Sequence, residues 1–214
     1  GQSLRLVGQR GQGVVVGGYE GPSPTLRGFY LQDAGDGDPL TSDAIFVFNG
    51  SANSVALGQV VQVRGTAGEF QDQTQIAGAL TIELCGATGS VTAQDVALPL
   101  PAAVDGVEFL ERLEGMMVRF PQSLSVTEHF QLGRFGQVVL SSGGRLPQPT
   151  QIASPGAAAQ AVQAANNRNR IIVDDTLQNQ NADPIVFGRL GGPLTAANTL
   201  RGGDTATGIV GIMT

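Results

Sequence analysis

The chain has no lysine, no tryptophan, one cysteine and one histidine among its 214 residues. Without lysine it has no amine for Schiff-base chemistry and none for a phosphate-binding loop. His129 has no second histidine or cysteine at metal-ligand spacing, so a catalytic role for it is not favoured. Cys85 cannot form a disulfide within the chain, and a single cysteine is typically a small buried hydrophobic residue. No apolar run approaches the roughly 18 residues of a membrane span.

The charge of −6 is distributed unevenly along the sequence. Residues 1–109 carry four arginines against eleven carboxylates, and residues 174–214 carry two against four. Residues 110–173 carry six arginines against three glutamates and form the one net-basic block. The acidic first half suits cation binding, and the basic middle block is able to face phosphates. Solvated surface remains the simpler interpretation of most of these charges.

Short apolar segments separated by glycine-rich turns dominate the first hundred residues. Strand cores are expected at 4–6, 14–16, 29–31, 45–48 and 61–63. About five short strands with glycine at their bends are typical of a small closed barrel such as the OB-fold. We therefore predict an OB-like β-barrel over residues 1–87.

A linker and a second β module are predicted after this barrel. Residues 88–110 contain Leu98-Pro99-Leu100-Pro101, which favours an extended and semi-rigid path. The second module is assigned to residues 111–214, with strands expected at 116–120, 124–128, 137–140, 170–173 and 205–212. The sequence stops inside an apolar, strand-like run, so we expect this module to be truncated at its C-terminus.

One α-helix is predicted to be inserted in the second module. Ser154 suits the N-cap position and Pro155 suits the first helical position. Residues 157–165 are rich in alanine, the strongest helix former, and Asn166 and Asn167 are expected to end the helix. The predicted fold class is mostly β, with two small barrel-like modules, the first OB-fold-like.

An acidic loop between two predicted strands is the candidate metal site. Asp33, Asp36, Asp38 and Asp43 place four carboxylates within eleven residues. Such crowding is repulsive unless a cation neutralises it, and calcium prefers carboxylate and carbonyl oxygens. The spacing is not that of an EF-hand, so a calcium ion here would have a structural role. The alternative is a solvated turn, because Asp, Gly and Pro favour turns without any metal.

The basic block contains the candidate nucleic-acid-binding residues. It combines five arginines with two phenylalanines: Arg119, Arg134, Arg145, Arg168, Arg170, Phe130 and Phe135. Single-strand-binding proteins use basic grooves and stacking aromatics, and we select Arg134, Phe135, Arg168 and Arg170 as the best candidates. The alternative is that both phenylalanines belong to the core and the arginines are solvated.

Three segments of the chain resemble a known family. They are LRGFYLQDAGDGDPLTSDAIFVF (26–48), ERLEGMMVRFPQSLSVTEHFQLGRFGQVVLSSGGRL (111–146) and SPGAAAQAVQAANNRNRIIVDD (154–175). They resemble the N-terminal, non-catalytic region of secreted bacterial nucleases of the ExeM/NucH type, in that family's order. In those proteins β modules precede a catalytic domain of the endonuclease/exonuclease/phosphatase superfamily. No catalytic residue of that domain can be assigned to this sequence.

The resemblance implies an accessory region of an extracellular deoxyribonuclease. Such a region would position a C-terminal nuclease domain of the same polypeptide and bind DNA weakly. The chain alone is not expected to be an enzyme, and the parent protein is expected to be secreted. Two alternatives remain open: a cell-surface β module that binds carbohydrate or protein, and a stand-alone metal-dependent hydrolase that uses the acidic loop.

Overall fold

A computed structural model describes residues 10–214, with Arg10 described by its backbone alone. The strand predicted at 4–6 lies outside the described residues. The chain divides into two compact units, each built from separated segments. Beside the N-terminal residues up to Asp95, the first unit contains Val107–Arg119 and Val210–Thr214, and the second contains Val96–Gly106 and Phe120–Ile209. Over the described residues of the chain, strand residues outnumber helical residues, so the mostly β prediction is confirmed.

The elements of the described residues follow one another in a fixed order. They are β1 (Arg10–Tyr19), β2 (Gly28–Gln32), β3 (Ala44–Phe48), β4 (Gln59–Phe70), β5 (Gln73–Thr88), β6 (Gln94–Asp95), α1 (Gly106–Glu111), β7 (Met117–Phe120), β8 (Leu124–Glu128), α2 (Leu132–Phe135), β9 (Gln137–Ser142), α3 (Pro149–Ile152), α4 (Ala157–Arg168), β10 (Ile171–Asp174), a 3₁₀ turn (Arg189–Gly191), β11 (Thr205–Ala206) and β12 (Ile209–Ile212).

The first unit is organised around a closed barrel of five strands in the order β1-β2-β3-β5-β4. Strand β1 closes the barrel by pairing antiparallel with β4, and β3 runs parallel to β5. The prediction of a small closed barrel is therefore confirmed, and five is the number of strands in an OB-fold barrel.

The barrel core is formed by inward-facing apolar side chains from all five strands. Its buried members are Val15, Phe29, Leu31, Ile45, Val47, Val61, Val63 and Ile76. In β4 the buried Val61 and Val63 alternate with less buried neighbours, as expected for a strand with one face toward a core. This alternation is the pattern from which the strand was predicted.

Strand β2 is buried on both of its faces. Phe29 and Leu31 face the barrel core, while Tyr30 is only 1% exposed and Gln32 only 3%. The Gln32 side-chain oxygen accepts a hydrogen bond of 2.9 Å from the backbone N–H of Met117. A three-stranded sheet in the order β12-β7-β6 belongs largely to this unit as well.

The second unit contains a four-stranded antiparallel sheet in the order β10-β9-β8-β11. Its core side chains include Leu124, Val126, Val138 and Leu140, all of which are buried. A loop that contains α2 connects β8 to β9, and α4 precedes β10. The predicted helix is therefore present in this unit.

Local details differ from the sequence-based predictions. Helix α4 begins at Ala157 with Gly156 at its N-cap, not Ser154. The reason is that Gly156 adopts a φ of 104°, which turns the chain just before the helix. The strand predicted at 205–212 is divided into β11 and β12, which belong to different sheets, and Gly208 between them has a φ of 62°.

The segment predicted to be a linker is packed. Within it, Val96, Leu98 and Leu100 are buried. The backbone N–H of Leu100 donates a hydrogen bond of 2.7 Å to the carbonyl of Arg168, within the second unit. The chain bends at Leu98 and Pro99, where the peptide bond is cis, and it contributes apolar side chains to the fold.

Candidate nucleic-acid interface

The loop between β8 and β9 is a short, internally bonded structure that we call the 129–136 loop. Leu132 is buried and anchors it. The N–H of Phe135 donates to the carbonyl of Gln131 at 2.8 Å, and Gly136 ends α2 in a left-handed conformation with a φ of 65°. This backbone order fixes the directions in which the other side chains of the loop point.

The loop presents two aromatic rings and one guanidinium group. Phe130 is 84% exposed, so the interpretation that it belongs to the core is wrong. Phe135 is half-buried, and the guanidinium carbon of Arg134 lies over its ring, 5.1 Å from the centroid. Such cation–π contacts at exposed sites contribute about 0.5–1 kcal/mol.

Polar contacts orient Arg134 from the neighbouring segment. Its Nε–H donates a hydrogen bond of 2.8 Å to the side-chain oxygen of Gln180. Its carbonyl accepts a bond of 2.8 Å from the N–H of Asn181. The guanidinium is therefore held against the ring of Phe135, and its terminal N–H groups face solvent.

Carboxylates lie at the same end of the sheet as this loop. Asp174 accepts a hydrogen bond of 2.9 Å from the Gln137 side chain, and the N–H of Asp175 donates to the carbonyl of Gly136 at 3.1 Å. Glu128 ends β8 immediately before the loop. Three carboxylates thus lie at the same end of the sheet as Arg134, which reduces the attraction of this end for a polyanion.

The four predicted nucleic-acid-binding residues do not form one cluster. Arg134 and Phe135 lie near the Asp174 end of β10, because Asp174 pairs with Gln137. Arg168 and Arg170 precede the other end of β10, where Ile171 pairs with Leu140. At about 3.3 Å per residue, the two pairs are separated by roughly 13 Å along the strand. Only Arg134 and Phe135 are brought together.

The basic block of the sequence does not correspond to a basic unit. Among the residues that belong to each unit, the first unit has six arginines and twelve carboxylates, and the second has six of each. Of the other candidates, Arg119 belongs to the first unit and is paired with Asp95 by bonds of 2.7 and 2.8 Å. The second unit is therefore neutral, and the first is negative.

The face that OB-folds commonly use for oligonucleotides is occupied in this protein. That face lies on strands 2 and 3 of the barrel. Here β2 is buried on both faces, and the backbone N–H of Met117, in the same unit, bonds to Gln32 at its end. Just before β3, the Ser42 hydroxyl donates a bond of 2.5 Å to the carbonyl of Glu114, also in this unit. The barrel therefore does not offer this surface to a ligand.

The carboxylates of the acidic loop bond to the loop's own backbone. Asp33 accepts from the N–H of Gly35 at 2.7 Å, and Asp36 accepts from that of Asp38 at 2.9 Å. Asp38 in turn accepts from the N–H of Leu40 at 2.9 Å. These bonds shape consecutive tight turns, as Asp side chains commonly do.

Asp43 faces the other three carboxylates of this loop. Its pKa is raised, first because it is partly buried and further because Asp33, Asp36 and Asp38 repel its charge, while a bond from the Asp36 N–H opposes the shift. Among residues 10–214, no three His, Cys, Asp or Glu side chains are grouped so that they could hold a metal ion. The loop is thus a crowded but self-bonded set of carboxylates.

The structure adds features that the sequence analysis missed. The guanidinium carbon of Arg27 lies 5.2 Å from the centroid of the Phe48 ring, and Arg27 has a φ of 64°. No sequence pattern marked this pair, because the two residues are distant in the chain. Cys85 is exposed, so its interpretation as a buried residue is wrong. A cavity of about 210 Å³ between the β4–β5 turn and α1 contains none of the predicted site residues.

Comparisons with known proteins found no relative: no family model, no curated protein and no solved structure matches this chain. In the described part of the chain, none of the helices is long and apolar enough to cross a membrane.

Proposed function

We propose that this chain is the accessory, non-catalytic region of an extracellular deoxyribonuclease. In this proposal it positions a C-terminal nuclease domain of the same polypeptide and contacts DNA weakly. The resemblance of its three segments to secreted nucleases supports the assignment to that class of protein. The DNA contact rests on one observation, the guanidinium of Arg134 held over the Phe135 ring at 5.1 Å.

The geometry of this pair suits a nucleic acid. A guanidinium offers paired donors to phosphate oxygens, and its flat face and the aromatic ring can also stack on a base. Gln180 keeps the group in place, so little side-chain freedom is lost on binding. Because the unit is neutral and carboxylates lie nearby, we expect dissociation constants of about 10⁻⁴ to 10⁻⁶ M, typical of non-specific binding.

We also propose that the acidic loop takes up a structural calcium ion. The repulsion of Asp43 by Asp33, Asp36 and Asp38 supports this, since a divalent cation would relieve it. To ligate the ion, these carboxylates would have to leave the backbone N–H groups that they bind and gather around it. The ion would order the loop and take no part in a reaction.

The DNA contact can be tested by fluorescence anisotropy with labelled oligonucleotides at low and physiological salt. Arg134→Ala should weaken binding by a few-fold to roughly tenfold, whatever the base sequence, because a cation–π-held phosphate contact is lost. It should also lower the salt slope by about 1.

The matched control is Arg189→Ala, which removes another exposed arginine of the same unit. Its binding should remain close to that of the wild type. Equal weakening by both variants would indicate diffuse attraction and contradict a site at Arg134. If the wild type does not bind even at low salt, DNA contact does not belong to this region.

A further inference from the structure

We propose that Phe130 is a stacking site for an unpaired base, so that the 129–136 loop selects single-stranded over double-stranded nucleic acid. This inference rests on the proposed function and specifies the form of its ligand.

The exposure of Phe130 is the first observation. The ring is 84% exposed although its loop is anchored by the buried Leu132 and closed by backbone hydrogen bonds. It therefore contributes little to the core and is presented by an ordered backbone. Isolated exposed apolar residues are common, so exposure alone does not identify a ligand. Here a second ring and a cation lie in the same loop.

The composition of the loop gives the ligand its chemistry. Phe130 and Phe135 are five residues apart, and Arg134 already lies over the second ring. Proteins that bind single strands combine a cation with aromatic rings on which successive bases stack. The half-buried Phe135 has one face covered by Arg134, whereas the ring of Phe130 is open to a base.

The charges around the loop discriminate between the two forms of nucleic acid. Arg134 is accompanied by Glu128, Asp174 and Asp175. A duplex presents a dense array of phosphates with its bases stacked inside, and binding to it depends on cations. A single strand can offer base faces while its flexible backbone avoids the carboxylates. An end with one arginine and three carboxylates therefore favours the unpaired base.

The absence of tryptophan permits a direct test with a single fluorescent reporter. Phe130→Trp places the only indole of the protein at the proposed site. Leu190→Trp is the matched control, because Leu190 is fully exposed and lies in the same unit. Both proteins are titrated with an oligothymidylate, with an abasic oligomer of equal length and with a hairpin duplex.

Stacking predicts that the oligothymidylate quenches the Phe130→Trp protein and that the abasic oligomer and the duplex do not. The Leu190→Trp protein should not be quenched by any of them. In anisotropy measurements, Phe130→Ala should weaken oligothymidylate binding by roughly tenfold, because one stacked base is lost. Binding of the duplex should change little, and unchanged melting temperatures will show that the variants are folded.

Equal quenching by the duplex or by the abasic oligomer would overturn the inference, as would equal quenching of the Leu190→Trp protein. Quenching by a neutral oligosaccharide in place of the oligothymidylate would overturn it in favour of a sugar ligand. If Arg134-dependent binding to duplex persists while the Phe130 reporter is silent, the proposed function stands and this inference fails. If neither form of nucleic acid binds, both fail.

Discussion

Glu20 is a single side chain that joins two distant segments of the first unit. Its carboxylate accepts hydrogen bonds of 3.0 Å from the N–H groups of Ser54 and Val55 and one of 2.8 Å from the Ser54 hydroxyl. The Asn49 amide also donates to it. Burial raises the pKa of Glu20, but these bonds together outweigh burial, so its pKa is lowered. The ionised form is therefore favoured by folding.

Glu20→Gln should destabilise the protein by about 1–3 kcal/mol at neutral pH, because an amide nitrogen replaces one acceptor oxygen and faces N–H donors. At about 2–4 °C per kcal/mol for a chain of this size, the loss is measurable as a lower melting temperature. Because the pKa is lowered on folding, the contribution of the carboxylate is complete above the ordinary glutamate pKa of about 4.3 and is lost as the pH falls below it.

The difference in melting temperature between wild type and Glu20→Gln should therefore shrink in acid. Glu83→Gln is the control, since Glu83 is an exposed glutamate of the same barrel. A difference that stays constant from neutral pH into acid would contradict the role assigned to the charge of Glu20.

The burial of the site's aromatic side chains could not be predicted from the sequence. The sequence identified Phe130 and Phe135 as candidates but left open whether they were buried. Their different exposures follow from the anchoring of the loop by Leu132 and the covering of Phe135 by Arg134. Both are tertiary effects, because the same residues in a differently packed loop would exchange environments.

For the acidic loop between β2 and β3, the sequence predicted either a calcium site or a solvated turn, but not the hydrogen bonds that shape it. Each of Asp33, Asp36 and Asp38 accepts a bond from a backbone N–H two residues ahead. Partial burial raises the pKa of Asp43, and these carboxylates raise it further, so ionisation of Asp43 opposes folding above its folded pKa and that penalty disappears as the pH falls through it.

Asp36→Asn combined with Asp38→Asn separates the bonding role of this loop from its charge. Asparagine keeps the acceptor oxygens and removes two negative charges, so without metal the variant should be as stable as the wild type or slightly more stable. Calcium should raise the melting temperature of the chelator-stripped wild type, because the ion binds only the folded state, and should have no effect on the variant. Calorimetry with and without calcium measures both.

The control ion for this measurement is magnesium, which keeps its waters and suits such loops less well than calcium. If calcium leaves the wild type unchanged while the double variant gains stability, the loop is a self-bonded turn without a metal.

Strands and helices with a clear local sequence pattern could be predicted. Those that exist only because they pair with a distant strand could not. The alternation in β4 and the alanine-rich run of α4 located both elements correctly. Strand β5 was missed although it is the longest, because most of its side chains are exposed and its pairing with β4 defines it. The predicted strand is divided because β11 and β12 pair with strands of two different sheets.

At the scale of the whole molecule, charge is distributed differently over the two folded units than along the sequence. The block 110–173 is basic along the chain, but its residues are shared between an acidic unit and a neutral one. Long-range attraction of a polyanion is therefore expected to be weak. A role in positioning a catalytic domain needs no such attraction, which agrees with the accessory function proposed above.

We expect the isolated chain not to cleave DNA. The reason is chemical: metal-dependent phosphodiester hydrolysis requires a carboxylate-held metal and groups to activate the nucleophile, and the only histidine, His129, is exposed on a loop. Supercoiled plasmid incubated with the purified chain, magnesium and calcium should stay supercoiled. A known deoxyribonuclease provides the positive control.

Contaminating nucleases are the main confounder of this assay. Metal-dependent nicking that follows the chain through two orthogonal purification steps, and that disappears in His129→Ala, would contradict the expectation. Nicking that is unaffected by this substitution, and that separates from the chain during purification, comes from a contaminant and does not contradict the expectation.

The sequence by itself determined the mostly β class, the barrel of the first unit and the presence of helix α4, because these depend on local periodicity, glycine at bends and helix propensity. It also marked Arg134 and Phe135, which are neighbours in the chain. Only the tertiary structure decided that Arg168 and Arg170 lie at the other end of β10, that the usual ligand face of the barrel is covered and that Phe130 is exposed. Each of these depends on which strands pair and which segments pack together, and no local pattern encodes contacts between residues far apart in the chain.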